Sequence, residues 1–327
     1  NSNKFSRMNQ MANTAREGEP SIAEISKLVP TLLPKDLDLL TNSRENSMIL
    51  IGKTDSDTVF GYKYLQVGDR TQQQAWFKWK FNNPLRYHFI INDEYYFLDT
   101  DNFLQCLKLI QTETDPDITL DSINYQLHID NHTTISGGVY TESSDITTFS
   151  NVSWLSSVTT PNYSLVVIDE DGDNQGRYGV CTKTDATTFT VPGNWTGQTV
   201  RVGYVYEYLV EFPTIYPTKL VGERSVSDVN SSLILHRIKL HFGKIGFYAT
   251  TLVREGKTDY TEEYESTIMD TYSASRAPFL EEFIKTIPIY EKNTNVNITL
   301  KSSHPAPATL RAMAWEGDFS PRFYKRA

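Results

Sequence analysis

The chain has 327 residues, 39% hydrophobic and 22% charged, with a net charge of -9. That length holds two or three compact domains, and the composition is that of an ordinary folded protein, not a disordered one. The balance of 31 basic against 40 acidic residues argues against a chain that grips nucleic acid through clustered phosphate contacts, but not against a surface past which nucleic acid moves.

Two cysteines, Cys106 and Cys181, show no metal-ligand spacing and no disulfide framework, which predicts two free thiols. No apolar run is long enough for a membrane span. Asn1 to Phe5 contains no apolar signal region and no initiator Met, so the chain is expected to begin within a longer product.

Residues 1–46 read as a polar lead-in that lies over other structure. Within it, Ser21 followed by Glu24 has capping-box spacing and predicts a short helix to Leu28, stopped by Pro30. Residues 47–116 change texture. Short strands are predicted at Met48–Gly52, Val59–Val67, Gln72–Phe81, Tyr87–Ile91, Glu94–Asp99 and Phe103–Ile110. They are separated by Gly68-Asp69, Asn82-Asn83-Pro84, Asn92-Asp93 and Asp101-Asn102. Two such meanders match propeller blades, which run to roughly 40–45 residues each, with a flat sandwich sheet as the alternative. The central stretch places Ala75, Phe77, Trp79 and Phe81 on one side of a period-2 pattern and Trp76, Lys78 and Lys80 on the other. Each aromatic there can bury ~150–250 Å².

Residues 117–216 are rich in Thr, Ser, Asn and Gly. They predict a small inserted β domain, with strands at Ser122–Asp130, Ser164–Asp169, Tyr178–Cys181, Thr187–Val191 and Thr199–Phe212. Pro213 and Pro217 force an extended boundary. Residues 217–327 predict a C-terminal β-sandwich with strands at Leu233–Leu240, Lys244–Arg254, Tyr260–Met269, Lys285–Tyr290, Val296–Lys301 and Ala308–Trp315. The fold class is all-β: partial propeller blades, then an inserted small β domain, then a sandwich.

Candidate chemistry mostly fails on spacing. Asp169, Asp171 and Asp173 form half of a calcium loop, but Asn174 and Val180 stand where Gly and Glu are required. His236 and His241 fall on opposite faces of an unbroken strand. His128 and His132 flank a polar turn. Glu262, Glu263 and Glu265 read as a wet strand face and not as hydrolase carboxylates. No nucleophile elbow or phosphate loop is present. No catalytic residue, metal or cofactor is expected.

Four stretches carry a resemblance. Gln73 to Phe81, with Ala75, Trp76, Phe77, Trp79 and Phe81, follows Val59–Leu65 and Gly68-Asp69-Arg70. Ala314 to Arg322 contains Trp315, Glu316 and Gly317. Glu211 to Pro217 contains Phe212, Pro213, Tyr216 and Pro217. Ile25 to Pro30 is a fourth, weaker match. In order and spacing the set resembles the C-terminal part of the tail tubular protein B family, the tail nozzle of short-tailed bacteriophages. Residues 117–212 resemble it least. The resemblance implies a virion tail protein with a partial β-propeller. It implies a homo-hexameric tube between the head-to-tail adaptor (tail tubular protein A) and the tail fibres, through which double-stranded DNA and ejection proteins pass without sequence-specific binding. In this reading Trp315 anchors a core and Gly317 permits a positive-φ turn. Two rivals differ in class. A glycan-binding or glycan-hydrolysing tail protein would show paired carboxylates in a cleft. A fibre-type module would show repeats, and none is found.

Overall fold

A computed structural model of the protein describes residues 6–9, 21–26, 29, 31–43, 47–67, 70–109, 117–120, 122–153, 155, 164–171, 175–221, 224–228, 231–265 and 280–320. The described chain is built almost wholly of β-strands, in two compact units, Asn1–Thr112 and Glu113–Ala327.

The first unit opens with β1 (Ser6–Asn9) and β2 (Ser21–Glu24), paired antiparallel. Ser21 to Glu24 is therefore strand, not the start of a helix. Glu24 lies opposite Ser6 across the ladder, so strand pairing overrides the local capping signal. Residues 27, 28 and 30 of that predicted helix lie outside the described residues.

Then β3 (Leu39–Ser43), β4 (Met48–Gly52), β5 (Ser56–Val67), β6 (Arg70–Ile91), β7 (Glu94–Asp99) and β8 (Leu104–Lys108) form one six-stranded sheet in sequence order. The last strand of the expected lead-in, β3, is thus a member of the sheet. Asn92 and Asp93 both take positive φ and make the tight turn between β6 and β7. The Gly68-Asp69 turn lies outside the described residues.

Asn82-Asn83-Pro84 does not end a strand as the sequence predicts. β6 runs unbroken for 22 residues. It changes partner at Leu85, from β5 to β7, through register shifts on both sides. Pro84 falls at this changeover, where a missing N–H breaks no ladder, and its carbonyl accepts from Thr100 N at 2.9 Å. The two predicted meanders are therefore one continuous sheet.

That sheet curls back on itself. Thr41 Oγ1 in β3 accepts from Ile90 N in β6 at 3.0 Å, and Ser43 Oγ donates to Asp93 at 3.2 Å. The curl encloses Met48, Leu50, Val59, Leu85, Tyr95 and Phe97, with Phe77, Trp79 and Phe81 packed against them.

The second unit starts with the hairpin β9 (Ile118–Leu120) and β10 (Ile123–Tyr125). Next come β11 (Asp130–Ile135), β12 (Val139–Thr141), β13 (Ile146–Phe149), β14 (Leu165–Asp169), β15 (Tyr178–Val180), β16 (Thr182–Lys183), β17 (Phe189–Pro192) and β18 (Val200–Tyr204). They form two four-stranded sheets, β11-β18-β14-β15 and β12-β13-β17-β16. Phe149, Val167, Phe189, Val191, Trp195 and Val202 fill one core between the sheets.

The predicted Thr199–Phe212 strand divides. After β18 the chain leaves this sandwich, and β19 (Tyr208–Glu211) pairs with β26 (Val296–Ser302) instead. β20 (Thr218–Val221) and β21 (Arg224–Ser227) make a separate hairpin. The remaining strands are β22 (Ser232–Ile245), β23 (Phe247–Arg254), β24 (Tyr260–Glu265), β25 (Phe283–Lys292) and β27 (Ala308–Ser320). Sheets β19-β26-β23-β24 and β25-β22-β27 stack as a second sandwich. Its core holds Leu233, Leu235, Ile238, Leu240, Phe242, Ile287, Ile289, Ile298 and Leu300. The buried positions of β22 slip phase between Leu235 and Ile238 because a bulge sits at Leu235/Arg237. Each such side chain sealed from water contributes about 1.5–3 kcal/mol.

The two sandwiches share a small joint. Ile118, Tyr125, Leu127, Ile129, Ile168 and Ala306 cluster there. His128 N donates to Pro305 O at 2.8 Å, and Lys244 Nζ to Asn124 O at 2.6 Å.

Candidate functional site

The aromatic stretch of β6 lies half-buried. Phe77, Trp79 and Phe81 share the inner face of the curl, with ring centroids 5.1 Å apart for Phe77–Trp79, 5.8 Å for Trp79–Tyr95 and 4.4 Å for Phe81–Phe97. Gly61 lies opposite Phe77, and a Cβ there would stand 2.0 Å from the Phe77 ring. A glycine is what lets the ring lie against the strand. Ala75, expected on this face as part of the core, is exposed, because it lies toward the far end of β6, away from the rings that fill the curl. The opposite face is covered as well. Trp76 packs on Tyr62 at 5.0 Å, and its Nε1 donates to Ile25 O at 3.2 Å. Ile25 and Ser26, the described part of the lead-in motif, are buried.

Asp99 was missed by sequence reasoning. It is fully buried and accepts from Asp101 N, Phe103 N, Gln105 Nε2 and Asn83 Nδ2 at 2.9–3.2 Å. This carboxylate fixes the β7–β8 turn. The available signal was an Asp two residues before Asp101-Asn102, an Asx-turn spacing.

The Phe212–Pro217 motif closes one end of the second sandwich. Phe212 packs on the core and its N–H donates to Ile298 O at 3.0 Å. Ile215 is buried, and its carbonyl accepts from Asn293 Nδ2 at 2.8 Å. Pro213 is exposed and Tyr216 half-buried. Pro217 O accepts from Asp228 N at 2.8 Å, which pins the base of the β20–β21 hairpin. The cavity at this motif is about 10 Å³, lined by Phe212, Ile215, Leu235 and Asn293 among others. That is one water at most.

The third motif corrects two expectations. Trp315 is not a core anchor: it is 37% exposed, because β27 is the edge of its sheet and Trp315 lies beyond the cover of the facing sheet. Gly317 is not in a positive-φ turn but inside β27, opposite the bulge of β22, where a Cβ would come within 2.2 Å of Ile234 O. Close backbone approach is what requires glycine there. Glu316 accepts from Arg237 Nε at 2.5 Å and Lys239 Nζ at 2.6 Å, and these cations hold its carboxyl below the ordinary value. Arg322 lies outside the described residues.

The chemical candidates do not converge. Asp169 is buried, its Oδ2 has no partner among the described residues, and burial pushes its carboxyl up to about 6. Asp171 accepts from Thr199 N at 3.2 Å; Asp173 and Asn174 lie outside the described residues. His236 pairs with Asp318 at 3.1 Å and stacks on Tyr290 at 5.7 Å. Glu262 is bonded to Lys285. Cys106 is exposed and Cys181 buried, both as free thiols. Among the described residues no three His, Cys, Asp or Glu side chains are grouped to hold a metal, and no helix is long and apolar enough to cross a membrane.

All three described motifs therefore do packing work: they curl one sheet, close one sandwich, and build one open edge. The class the fold defines is an all-β protein. More particularly, the chain belongs to the bacteriophage nozzle protein family, which matches residues 1–326. It is a structural component of the virion tail. No curated protein matches it in sequence.

Proposed function

We propose that copies of this chain form the wall of a tail nozzle, a conduit and gate through which DNA and ejection proteins leave the particle. The observation that carries this reading is the match to the nozzle family along nearly the whole chain. The assembly proposed is a homo-hexameric ring below the head-to-tail adaptor, with that adaptor and the tail fibres as its partners. The acidic balance, 31 basic against 40 acidic residues, supports a wall that repels phosphate on average and lets duplex slide.

Electron micrographs of the purified assembly test the reading: six-fold rings with an axial channel wide enough for duplex DNA are expected, and particles without a channel would refute it. A DNA titration tests the passive wall. Non-specific binders reach Kd of ~10⁻⁴–10⁻⁶ M at physiological salt, and this protein is expected to bind more weakly, with little salt dependence. Sub-micromolar affinity that collapses with added salt would assign it a gripping role instead.

A further inference from the structure

We infer that the β20–β21 hairpin of one copy adds to the open β27 edge of the next, joining copies head to tail by sheet extension. The inference rests on the nozzle reading only in requiring that copies of the chain meet.

The acceptor is unusual among the edges of its sandwich. β27 is 13 residues long and, among the described residues, pairs on one side only, with β22. The opposite edge of the same sheet, β25, is guarded: it contains Pro288 and, at Tyr290, a positive φ of 48°. Such features discourage pairing with another chain. β27 contains neither. It also carries apolar side chains past the core. Trp315 and Phe319 lie opposite Ile238 and Leu233, which are fully buried, yet they are themselves 37% and 48% exposed. An incoming strand would satisfy the unpaired backbone and cover both rings at once.

The donor is in the same unit. β20 and β21 are four residues each and, among the described residues, hydrogen-bond as strands only to each other. A lone two-stranded hairpin is at best marginally stable in water. The β9–β10 hairpin is also two-stranded, but its Ile118 and Tyr125 are buried in the joint. β20–β21 is instead held at its base, by Asp228 N on Pro217 O at 2.8 Å and Lys219 on Asp228 at 3.1 Å. The charges agree in sign: β20 presents Lys219, half-exposed beside Asp228, and the far half of β27 presents the exposed Asp318. Because donor and acceptor are different surfaces, the contact is heterologous. It closes into a ring when the rotation per copy permits, and otherwise runs on as a filament.

The test uses the full chain with exposed Cys106 changed to Ser. A Ser225→Cys preparation is mixed with a Phe319→Cys preparation and joined by a short bis-maleimide. Covalent dimer in the mixture, in excess of either preparation alone, is expected. No mixed dimer, or chiefly Phe319→Cys self-dimers, would overturn the inference. Phe319→Lys is expected to weaken self-association by about tenfold or more with its thermal melt unchanged. Replacing 219–226 by a Gly-Ser turn is expected to leave monomer where the unaltered chain assembles; assembly undiminished would overturn the inference. Channelled rings without the crosslink sink this contact and leave the nozzle reading standing. Crosslinked filaments without channels do the reverse. A chain monomeric at every concentration refutes both.

Discussion

In the inserted sandwich Trp195 is 1% exposed; in the C-terminal sandwich Trp315 is 37% exposed on an edge strand. Trp195 is fastened from every side. Its Nε1 donates to Pro192 O at 2.8 Å, its N–H donates to Thr147 Oγ1 at 3.0 Å, and Arg177 lies 4.1 Å above the ring. Gly179 leaves room for it, since a Cβ there would stand 3.0 Å from the ring. Trp315 belongs to a family-like motif and Trp195 does not. The difference teaches that the motif marks a surface the fold leaves open, while the anchor of a core sits in an unremarkable stretch of Thr, Asn and Gly.

The sharpest way to break this comparison is to remove both rings separately. Trp195→Ala is expected to cost on the order of 3–5 kcal/mol, since the site is enclosed by two sheets and collapses poorly. A urea melt showing Trp315→Ala to be the costlier of the two would reverse the assignment.

The curled sheet supplies an intermediate case. Sequence alone sets Trp79 on the apolar face and Trp76 on the Lys78 and Lys80 side, so Trp76→Ala should cost clearly less unless a second sheet or subunit covers it. In the fold both rings are half-buried, one on Phe77 and Tyr95, the other on Tyr62 and Ile25. Each truncation is therefore expected to cost about 2–3 kcal/mol, less than at Trp195, with the pair close together. A thermal melt in which Trp76→Ala is silent would show that the lead-in does not cover its face.

How much of this was legible follows from the kind of signal. Period-2 patterns place β7 and β26 within a residue, because alternation is local. Asn92-Asp93 announces its turn for the same reason. What failed was non-local. The 22-residue β6 could not be read through Asn82-Asn83-Pro84, because only the change of partner from β5 to β7 makes a proline harmless there. Ser21 and Glu24 carry a helix signal that pairing with β1 overrides. Gly317 looks like a turn residue until the bulge of β22 is seen opposite it. The roles of Trp315 and Ala75 depended on which strand is an edge and where the curl ends, and neither is written in the motif itself.

The joint between the two sandwiches adds a pH dependence to the comparison. His304 sits between Tyr178 at 4.2 Å and Phe247 at 5.8 Å, and Ala306 N donates to its Nδ1 at 3.0 Å, which requires a neutral ring. Burial pushes its imidazole down to about 4 from an ordinary 6.5. A histidine depressed in the fold binds fewer protons folded than unfolded. Its contribution to stability is therefore complete above the unfolded value and is lost as pH falls from there toward the folded one. His304 is expected to lower the melting temperature by several degrees between pH 7 and pH 4.5, against the opposite contribution of Asp169 and Asp130, whose carboxyls desolvation pushes up to about 6. His304→Gln should make that drop shallower. An equal drop in the variant would place the acid sensitivity elsewhere.

The smallest expected effect is the most informative about the third motif. Trp315 and Gly317 are two residues apart on β27, and both were read as structural. Only the glycine meets that description. A methyl at 317 would press on Ile234 O at 2.2 Å, so Gly317→Ala must shift either β27 or the bulge. Overpacking of this kind costs about 1–3 kcal/mol. Trp315→Ala removes a ring that is 37% exposed, and a change at such a partly exposed place is expected to cost about 1 kcal/mol or less. In dilute monomer the order of damage should therefore be glycine first, tryptophan second. Should Trp315→Ala lower the monomer melt as much as Gly317→Ala, the ring is sealed within its own chain, and β27 is not the open edge that the family-like motif builds.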